Sequence, residues 1–369
     1  MPAEKRLELI TRNLEEVLTV EDLKNLISTN QPLKHYIGFE ISGQVHLGSG
    51  LLTMFKIKDF VDAGVECTIF LADWHAWIND KLGGDKELIR EMATSYFQEA
   101  MIASYLCVGG DPKDLHFVLG SDLYHGHDDY WATMIRVAKN TTLARIQRSI
   151  SILGRQEGEA VDFAKLIYPP MQVADIFFMK INLAHAGMDQ RKAHVIARDC
   201  GEKVVGYKPI ALHQPMLAGL KKPPVWPLPT EKEKRDEMKI SLKMSKSIPD
   251  SAIFIHDSPE EIKRKLQAAF CPPQDIEYNP LLNWSKLLIF RTSQDRFTIN
   301  RSADHGGPVT FSSYQELEQT YTSGKLHPLD LKEEVGEWLM EKLAPARKYF
   351  EDPTRRQALE KIIKLTSTI

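Results

Sequence analysis

Residues 35–63 limit the possible folds of this chain more than any other segment. The apolar run "HYIGFE" (35–40) is typical of a buried strand, and apolar residues at helical spacing follow from about 48 to 63. The stretch that joins them, called here the glycine turn (38–50), has four glycines: Gly38, Gly43, Gly48 and Gly50. Such a turn directs backbone N–H groups and the positive end of the helix at one point, where an anion can bind. The same sequence is also compatible with an ordinary glycine-rich turn in which His46 is a surface histidine.

Further strands alternate with helices along the first part of the chain. "ECTIFLAD" (66–73), "LHFVLGSD" (115–122) and "KPIALHQPML" (208–217) are predicted strands, and 85–108 has the apolar spacing of an amphipathic helix. Residues 4–29 are predicted to form two short polar helices. This order predicts an α/β fold with a Rossmann-type, doubly wound parallel sheet. Ligands of such sheets bind beyond the carboxyl ends of the strands, where the glycine turn lies.

Two segments mark a division of the 369-residue chain, whose length suggests two domains. Residues 221–239 are rich in proline and then in mixed charges, which is typical of a surface linker or loop. "HDSPEEIKRKL" is a helix start, with Ser258 or Asp257 as the cap and Pro259 at the first helical position. We therefore expect a first domain over 1–255 and a mainly helical domain over 256–369.

Composition excludes several classes of protein. A net charge of -3 gives no global case for nucleic-acid binding, so any basic surface is local. The four cysteines form no C-x-x-C pair, which argues against a zinc knuckle or a disulfide framework and fits a reducing cytosol. The N-terminus has no apolar signal core, and no apolar run approaches the ~20 residues of a membrane span. We expect a soluble, cytoplasmic protein without a membrane segment.

A second motif, Lys243-Met244-Ser245-Lys246-Ser247, lies in a polar, proline-bounded loop (240–250). Two lysines on such a loop can fold over a polyphosphate and neutralise it as charge moves to the leaving group. A short lysine-serine segment is more often simple solvated loop. A complete KMSKS about two hundred residues after a glycine-histidine turn is nevertheless highly specific.

Together the two motifs resemble the paired signatures of class I aminoacyl-tRNA synthetases. His46-Leu47-Gly48-Ser49 is similar to the HIGH motif, and residues 243–247 match KMSKS in full. Over nearly the whole chain, the closer resemblance is to the archaeal and eukaryotic type of tyrosyl-tRNA synthetase. Its segments are found in order as "YIGFEISGQVHLG", "FLADWHAWIND", "YPPMQVADI", "GMDQRKAHVIAR" and "HPLDLK". Ser49 departs from HIGH, which has a second histidine there, and its role stays open.

The resemblance implies that tyrosine and ATP react at the glycine turn. Lys243 and Lys246 then supply the positive charge that the turn lacks, and His46 stabilises the α-phosphate as the carboxylate of tyrosine attacks it; these three are the implied catalytic residues. The implied ATP-binding residues are Gly38, Gly43, His46, Gly48 and Lys246. Mg²⁺ accompanies ATP and needs no dedicated protein cage.

The segment "YPPMQVAD" places Tyr168, Gln172 and Asp175 on one helical face, because they are four and three positions apart. A structural explanation is open, in which Tyr168 packs and Asp175 pairs with a basic residue. By resemblance, Asp175 and Tyr36 bind the phenol of tyrosine, while Tyr168, Gln172 and Gln190 bind its ammonium group. His75, at a strand's carboxyl end, is either part of the site or a core histidine.

Contacts with tRNA follow mainly from the resemblance. Residues 129–150 are predicted to form a helix with basic residues that either bind phosphate or face solvent: Arg136, Lys139, Arg145 and Arg148. In the family this region belongs to a connective insertion, here about 121–190, that builds the contact of a homodimer. The implied tRNA-binding residues are Arg191 and Lys192 at the acceptor stem, and His305, His327 and Asp330 in the domain that binds the anticodon.

The leading hypothesis is tyrosine–tRNA ligase activity, with tRNA(Tyr), L-tyrosine and ATP as partners. The nearest alternative is tryptophanyl-tRNA synthetase, which shares both motifs. Indole has one donor and no acceptor, whereas Asp175 with Tyr36 suits a phenol that both donates and accepts. A synthetase-derived RNA-binding protein without catalysis is a third possibility, and only Ser49 favours it.

Overall fold

A computed structural model describes residues 1–155, 159–231, 234–235, 238, 241–246 and 248–367, with His305 and Ser367 described by their backbone alone. Ser247 of the KMSKS motif and the side chain of His305 therefore lie outside the described residues. In the first 219 residues, the elements in chain order are α1 (Ala3–Thr11), β1 (Glu16–Leu18), α2 (Val20–Ser28), β2 (Lys34–Glu40), α3 (Thr53–Asp62), β3 (Glu66–Ala72), α4 (Asp73–Ile78), α5 (Lys86–Met92), α6 (Gln98–Cys107), β4 (Leu115–Leu119), α7 (Gly120–Tyr124), α8 (Asp128–Lys139), α9 (Leu143–Ser149), α10 (Phe163–Phe178), β5 (Leu183–Gly187), α11 (Arg191–Val205) and β6 (Ile210–Gln214).

The six strands form one sheet in the order β1-β6-β5-β2-β3-β4. Strand β2 runs parallel to β3, with Tyr36 beside Thr68 and Gly38 beside Phe70, and it runs parallel to β5 on its other side. Only the edge strand β1 is antiparallel, on β6. The predicted Rossmann-type parallel sheet is confirmed, and the glycine turn follows the carboxyl end of its central strand β2.

Two of these strands were absent from the sequence prediction. Strand β1 lies between the two predicted polar helices, where three residues are too few to show an alternating pattern. Strand β5, "LAHAG", has two alanines, a histidine and a glycine where buried strands usually carry branched or aromatic side chains. It also lies inside the range of the predicted insertion, although it belongs to the central sheet.

The predicted long helices are present with local changes. A single π-helical turn, Gly48–Leu52, precedes α3, and another, Ala93–Phe97, joins α5 to α6. The prediction of one helix over 129–150 is wrong, because α8 ends at Lys139 and Thr142 caps a new helix, α9. The strand predicted over 115–122 ends at Leu119, and the next residues form α7.

The last third of the chain is mainly helical, as predicted. Its elements are α12 (Pro259–Gln267), α13 (Pro280–Trp284), β7 (Phe297–Ile299), β8 (Val309–Phe311), α14 (Tyr314–Thr322), α15 (Pro328–Lys342), α16 (Ala344–Tyr349) and α17 (Pro353–Ser367). Ser258 caps α12 by accepting from the backbone N–H of Glu261, whereas Asp257 bonds the backbone of Phe254. The antiparallel pair β7–β8 is an addition that the sequence did not indicate.

The helical part packs closely against the sheet domain. The backbone N–H of Ile255 donates to the carbonyl of Val45 at 3.1 Å, so the chain on both sides of the predicted boundary lies against the glycine turn. Glu99 on α6 accepts from Tyr349 at 2.8 Å and from Arg355 at 2.7 Å. Helix α17 then runs back to the glycine turn, where Gln44 donates to the hydroxyl of Thr366 at 3.4 Å.

Candidate active site

His46 is held in one tautomer at the start of the helix that follows the glycine turn. Its Nδ1 accepts from the backbone N–H of Gly48 at 3.0 Å, so the remaining proton lies on Nε2, which can donate. Burial, with Lys246 and Lys243 nearby, lowers the pKa of His46 to about 3. A β-carbon at Gly48 would lie 3.0 Å from the imidazole, so glycine leaves room for this ring. His46 is therefore a neutral hydrogen-bond donor at physiological pH.

Lys246 reaches the glycine turn from the distant KMSKS loop. Its Nζ donates to the hydroxyl of Ser42 at 3.1 Å and lies 5.2 Å from the centre of the Phe97 ring. Its side chain also covers Gly43, where φ is +138°. The structure thus brings Lys246, Gly43 and His46 together, although about two hundred residues separate them in the chain.

Lys243 approaches the same region from the end of the sheet. It forms an ion pair with Asp189, which follows the carboxyl end of β5, and its backbone pairs with Ala218. Asp189 was not expected as its partner, because the two residues lie far apart in the chain. Lys243 and Lys246 therefore lie on two sides of the space next to the glycine turn.

Asp175 lies at the centre of a buried group of phenols. Its Oδ1 accepts from Tyr130 at 2.8 Å and from Tyr124 at 3.1 Å. Its Oδ2 finds no hydrogen-bond partner among the described residues, although the side chain is 0% exposed. Burial raises the pKa of Asp175 well above its usual value. A carboxyl group with one oxygen satisfied and the other unpartnered is prepared to accept from a polar ligand.

Tyr124 and Tyr130 were missed in the sequence. They lie on α7 and α8, on either side of a helix break, so no local spacing connects them with Asp175 on α10. For the predicted alternative, in which Asp175 pairs with a basic residue, the described residues offer only His75, whose Nε2 lies 3.5 Å from Oδ2. Burial lowers the pKa of His75 to about 3, so this histidine is neutral.

Tyr36 and Gly38 form another wall of this space. Tyr36 is buried beside Phe70, with 5.6 Å between the ring centres. Burial raises the pKa of its phenol well above 10, and the carboxylate of Asp175 adds to the effect. A β-carbon at Gly38 would lie 2.5 Å from the hydroxyl oxygen of Tyr36. Gly38, which the resemblance assigns to ATP, therefore lies directly against the phenol of Tyr36.

We expect Gly38→Ala to raise the KM for tyrosine at least tenfold, with the KM for ATP changed much less. The added methyl group must displace the Tyr36 hydroxyl, because a contact of 2.5 Å is far inside van der Waals range. Steady-state pyrophosphate exchange measures both constants. Gly64→Ala, at an exposed position after α3 where φ is +73°, is the control: it strains the backbone away from the site and should leave both KM values unchanged. Equal KM values for tyrosine in Gly38→Ala and the unmodified protein would contradict this placement.

The remaining predicted residues line the opposite end of the space. The ring of Tyr168 meets that of His75 at 4.5 Å, and burial and Glu40 raise the pKa of Tyr168. Gln172 donates to Gln190 at 3.4 Å, and its own carbonyl oxygen is buried with no partner in the ranges that the structure describes. Glu40, at the end of β2, was not predicted to belong here. Acceptor oxygens and a carboxylate at this end suit a bound ammonium group.

The predicted tRNA-binding residues lie in two separate places. Arg191 and Lys192 begin α11, directly after Gln190, and Lys192 donates to the carbonyl of Arg148 at 2.7 Å. His327 caps α15, and Asp330 lies in the first turn of that helix. Of the four basic residues predicted over 129–150, Arg145 pairs with Asp199 on α11. No helix in the described ranges combines the length and apolar character needed to cross a bilayer.

Comparisons with known proteins agree with these features. The family model described as tRNA synthetases class I (W and Y) matches residues 28–344. A tyrosine–tRNA ligase of Thermococcus sibiricus is 54% identical over 99% of this chain and 100% of the relative. The solved structure of tyrosyl-tRNA synthetase from Pyrococcus horikoshii, complexed with L-tyrosine, has a TM-score of 0.94 and 51% identity, and the match covers 100% of both chains.

A more distant likeness separates fold from family. The structure of tryptophanyl-tRNA synthetase from Aeropyrum pernix has a TM-score of 0.66 at 18% identity, over 95% of this chain and 85% of that one. It therefore shares the fold alone. Because the class I model matches most of the chain and full-length relatives are more than half identical to it, this chain belongs to the tyrosine–tRNA ligase family of class I tRNA synthetases.

Proposed function

We propose that the protein activates L-tyrosine with ATP to tyrosyl-adenylate and transfers the tyrosyl group to tRNA(Tyr). The observation that carries this proposal is Asp175, a fully buried carboxyl group with two phenols on Oδ1 and an Oδ2 that has no partner within the described part of the chain. A substrate phenol can donate to Oδ2 and accept from a neighbouring hydroxyl. The Pyrococcus horikoshii relative, 51% identical, was solved with L-tyrosine bound, which supports the same substrate here.

In the activation step, an oxygen of the tyrosine carboxylate forms a bond to the α-phosphorus, and the bond to the bridging oxygen of pyrophosphate breaks. The protein contributes position and charge to this displacement. The Nε2–H of His46 donates to an α-phosphate oxygen, and Lys246 with Lys243 neutralises the leaving pyrophosphate. The donors that face this space are cations and N–H groups, which suit phosphate oxygens. ATP would bind as its Mg²⁺ complex, in which the metal would offset part of the phosphate charge.

In the transfer step, a hydroxyl of the terminal ribose of tRNA attacks the activated carbonyl, and AMP leaves. We propose that Arg191 and Lys192 contact the acceptor end, since both lie directly after Gln190 at the site. His327 and Asp330, at the start of α15, are proposed to contact the anticodon, and their partly open positions support this. The anticodon contact of His305 stays a prediction from the resemblance.

We also propose the division into a catalytic domain (1–255) and an anticodon-binding domain (256–369), a homodimer built through the connective insertion, and a cytoplasmic location. The change from a parallel sheet to helices after β6 supports the division. Exposed apolar side chains at Ile135 and Leu143, on α8 and α9, support a partner on this face. Four buried, unpaired cysteines support a reducing compartment.

Pyrophosphate exchange into ATP, with tyrosine, tryptophan or phenylalanine as the only amino acid, tests the activity. Exchange with tyrosine alone is the expected result. Exchange with tryptophan would favour the alternative synthetase, and no exchange would favour an RNA-binding protein without catalysis. Charging of tRNA(Tyr) with labelled tyrosine then tests the second step.

The exchange rate is expected to fall as the pH rises through about 8. Burial lowers the pKa of Lys246 to about 8, with Glu40 acting in the opposite direction. Lysine is charged mainly below its pKa. Above that pH the free enzyme therefore loses the positive charge that is proposed to neutralise pyrophosphate. The profile of kcat/KM for ATP between pH 6.5 and 9.5 measures this. Lys246→Arg keeps its charge throughout and should flatten the alkaline limb; a flat profile for the unmodified enzyme would contradict the assignment.

A further inference from the structure

Arg191 is held by a carboxylate that the activation chemistry does not use. Its Nε donates to Oε2 of Glu16 at 2.8 Å, and its Nη2 donates to Oε1 at 2.9 Å. Such a two-pronged pair fixes the plane of the guanidinium group as well as its position. Glu16 begins the edge strand β1, and Arg191 begins α11, next to Gln190 of the proposed tyrosine site.

Two buried histidines, joined to each other by a hydrogen bond, hold the carboxylate of Glu16 in place. Nδ1 of His213 donates to Oε2 of Glu16 at 2.8 Å, because a carboxylate can only accept. The Nε2 of His213 is then an acceptor and receives the Nδ1–H of His194 at 3.1 Å, with the two rings stacked. Both imidazoles are at most 1% exposed. The carboxylate of Glu16 is therefore oriented by a hydrogen-bond chain inside the sheet domain.

This arrangement leaves one face of Arg191 available. The side chain of Arg191 is 43% exposed, although one edge of its guanidinium group is bound to Glu16. Lys192 lies beside it in the sequence, so two cations come together at the start of α11. A helix start also offers its positive end to phosphates. The surface here suits the sugar-phosphate end of a nucleic acid.

Stability alone does not account for the pair. Strand β1 is already attached to β6 by backbone pairing. A second ion pair, Asp22 with Arg198 at 2.9 Å, also joins the N-terminal segment to α11, seven residues further along that helix. Ion pairs that are partly exposed contribute little to folding. What Glu16 adds is a fixed direction for Arg191.

We propose that Glu16 is a positioning residue for tRNA: backed by His213, it aims Arg191 at the acceptor end during transfer. The inference rests on the proposed function, because it concerns the second step of that reaction. It gives the N-terminal segment, which the sequence left without a role, a place in tRNA binding.

Glu16→Gln tests the proposal, since glutamine keeps the length of the side chain and an acceptor for His213 but loses the charge. We expect the KM for tRNA in aminoacylation to rise roughly tenfold and tyrosine-dependent pyrophosphate exchange to stay within about twofold. Melting temperature measures whether folding is affected. Asp22→Asn, which breaks the ion pair between Asp22 and Arg198, is the matched control and should leave the KM for tRNA unchanged.

A double variant separates positioning from a general structural effect. In an Arg191→Ala background, Glu16→Gln should add nothing further to the KM for tRNA, because the residue that it aims is gone. If exchange is normal, two results overturn the inference. One is an unchanged KM for tRNA in Glu16→Gln, and the other is an equal increase of that KM in Glu16→Gln and Asp22→Asn. If the unmodified protein shows no tyrosine-dependent exchange, the proposed function is overturned, and the inference with it.

Discussion

Replacing Asp175 by alanine is expected to lower kcat/KM for tyrosine in pyrophosphate exchange by about 10 to 10² fold. The change removes the acceptor for the substrate phenol. It also leaves the hydroxyls of Tyr124 and Tyr130 with long contacts only, at 3.4 Å. An unsatisfied buried group costs about 1–3 kcal/mol, and ~1.4 kcal/mol corresponds to a factor of ten in rate. Preference for tyrosine over phenylalanine should fall as well. The KM for ATP, whose proposed site is the glycine turn, should change little.

Two further variants separate selectivity from folding in this experiment. Asp175→Asn keeps one acceptor oxygen and the shape of the side chain, so it should fold normally and still lose tyrosine selectivity. Asp59→Asn alters another buried carboxylate, which pairs with Arg291 far from the pocket, and should lower the melting temperature without changing selectivity. Undiminished activation of tyrosine by folded Asp175→Ala would show that the pocket has been placed wrongly.

Lys246→Met is expected to lower kcat for activation by about 10² to 10³ fold, because it removes a charge from the leaving pyrophosphate in the transition state. The methionine loses the ammonium group over the ring of Phe97 but keeps the aliphatic contact with Gly43, so the fold of the loop should survive. The KM for tyrosine should stay within about twofold. Rapid-quench measurement of adenylate formation reports the chemical step directly.

The control for this variant is Lys222→Met, which removes an exposed lysine from the proline-rich segment before the KMSKS loop. Any effect common to both variants reflects net charge or handling. A rate of adenylate formation within twofold of the unmodified enzyme in Lys246→Met would exclude Lys246 from catalysis.

Much of the fold could be predicted because the central strands and long helices carry regular apolar patterns. Strand β3, "ECTIFLA", carries three large apolar side chains in succession, Ile69, Phe70 and Leu71, and was recognised. Strand β5 was not, since its burial comes from its place between β6 and β2, and small side chains fit there. The break between α8 and α9 depends on Thr142, whose capping bond to the backbone of Arg145 leaves only a weak mark on the sequence.

The candidate site was predictable where its residues belong to continuous motifs. Tyr168, Gln172 and Asp175 share one helical face, and their convergence followed from spacing. Tyr124, Tyr130 and Asp189 come from other elements, and only the folded chain brings them to Asp175 and Lys243. Gly38 could not be explained from the sequence for another reason. A side chain there is excluded by the hydroxyl of Tyr36, which lies two residues earlier on the same face of β2, and this distance is known only from the folded structure.

The path of α17 has a practical consequence for anyone who produces this protein. Thr366, in its last turn, lies against Gly43, the same glycine that Lys246 covers. An affinity tag fused directly after α17 would therefore begin within a few residues of the proposed phosphate side of the site, and we expect it to depress turnover by itself. A tag at Met1, which is exposed and precedes α1, starts on a different element and is the better choice for kinetic work.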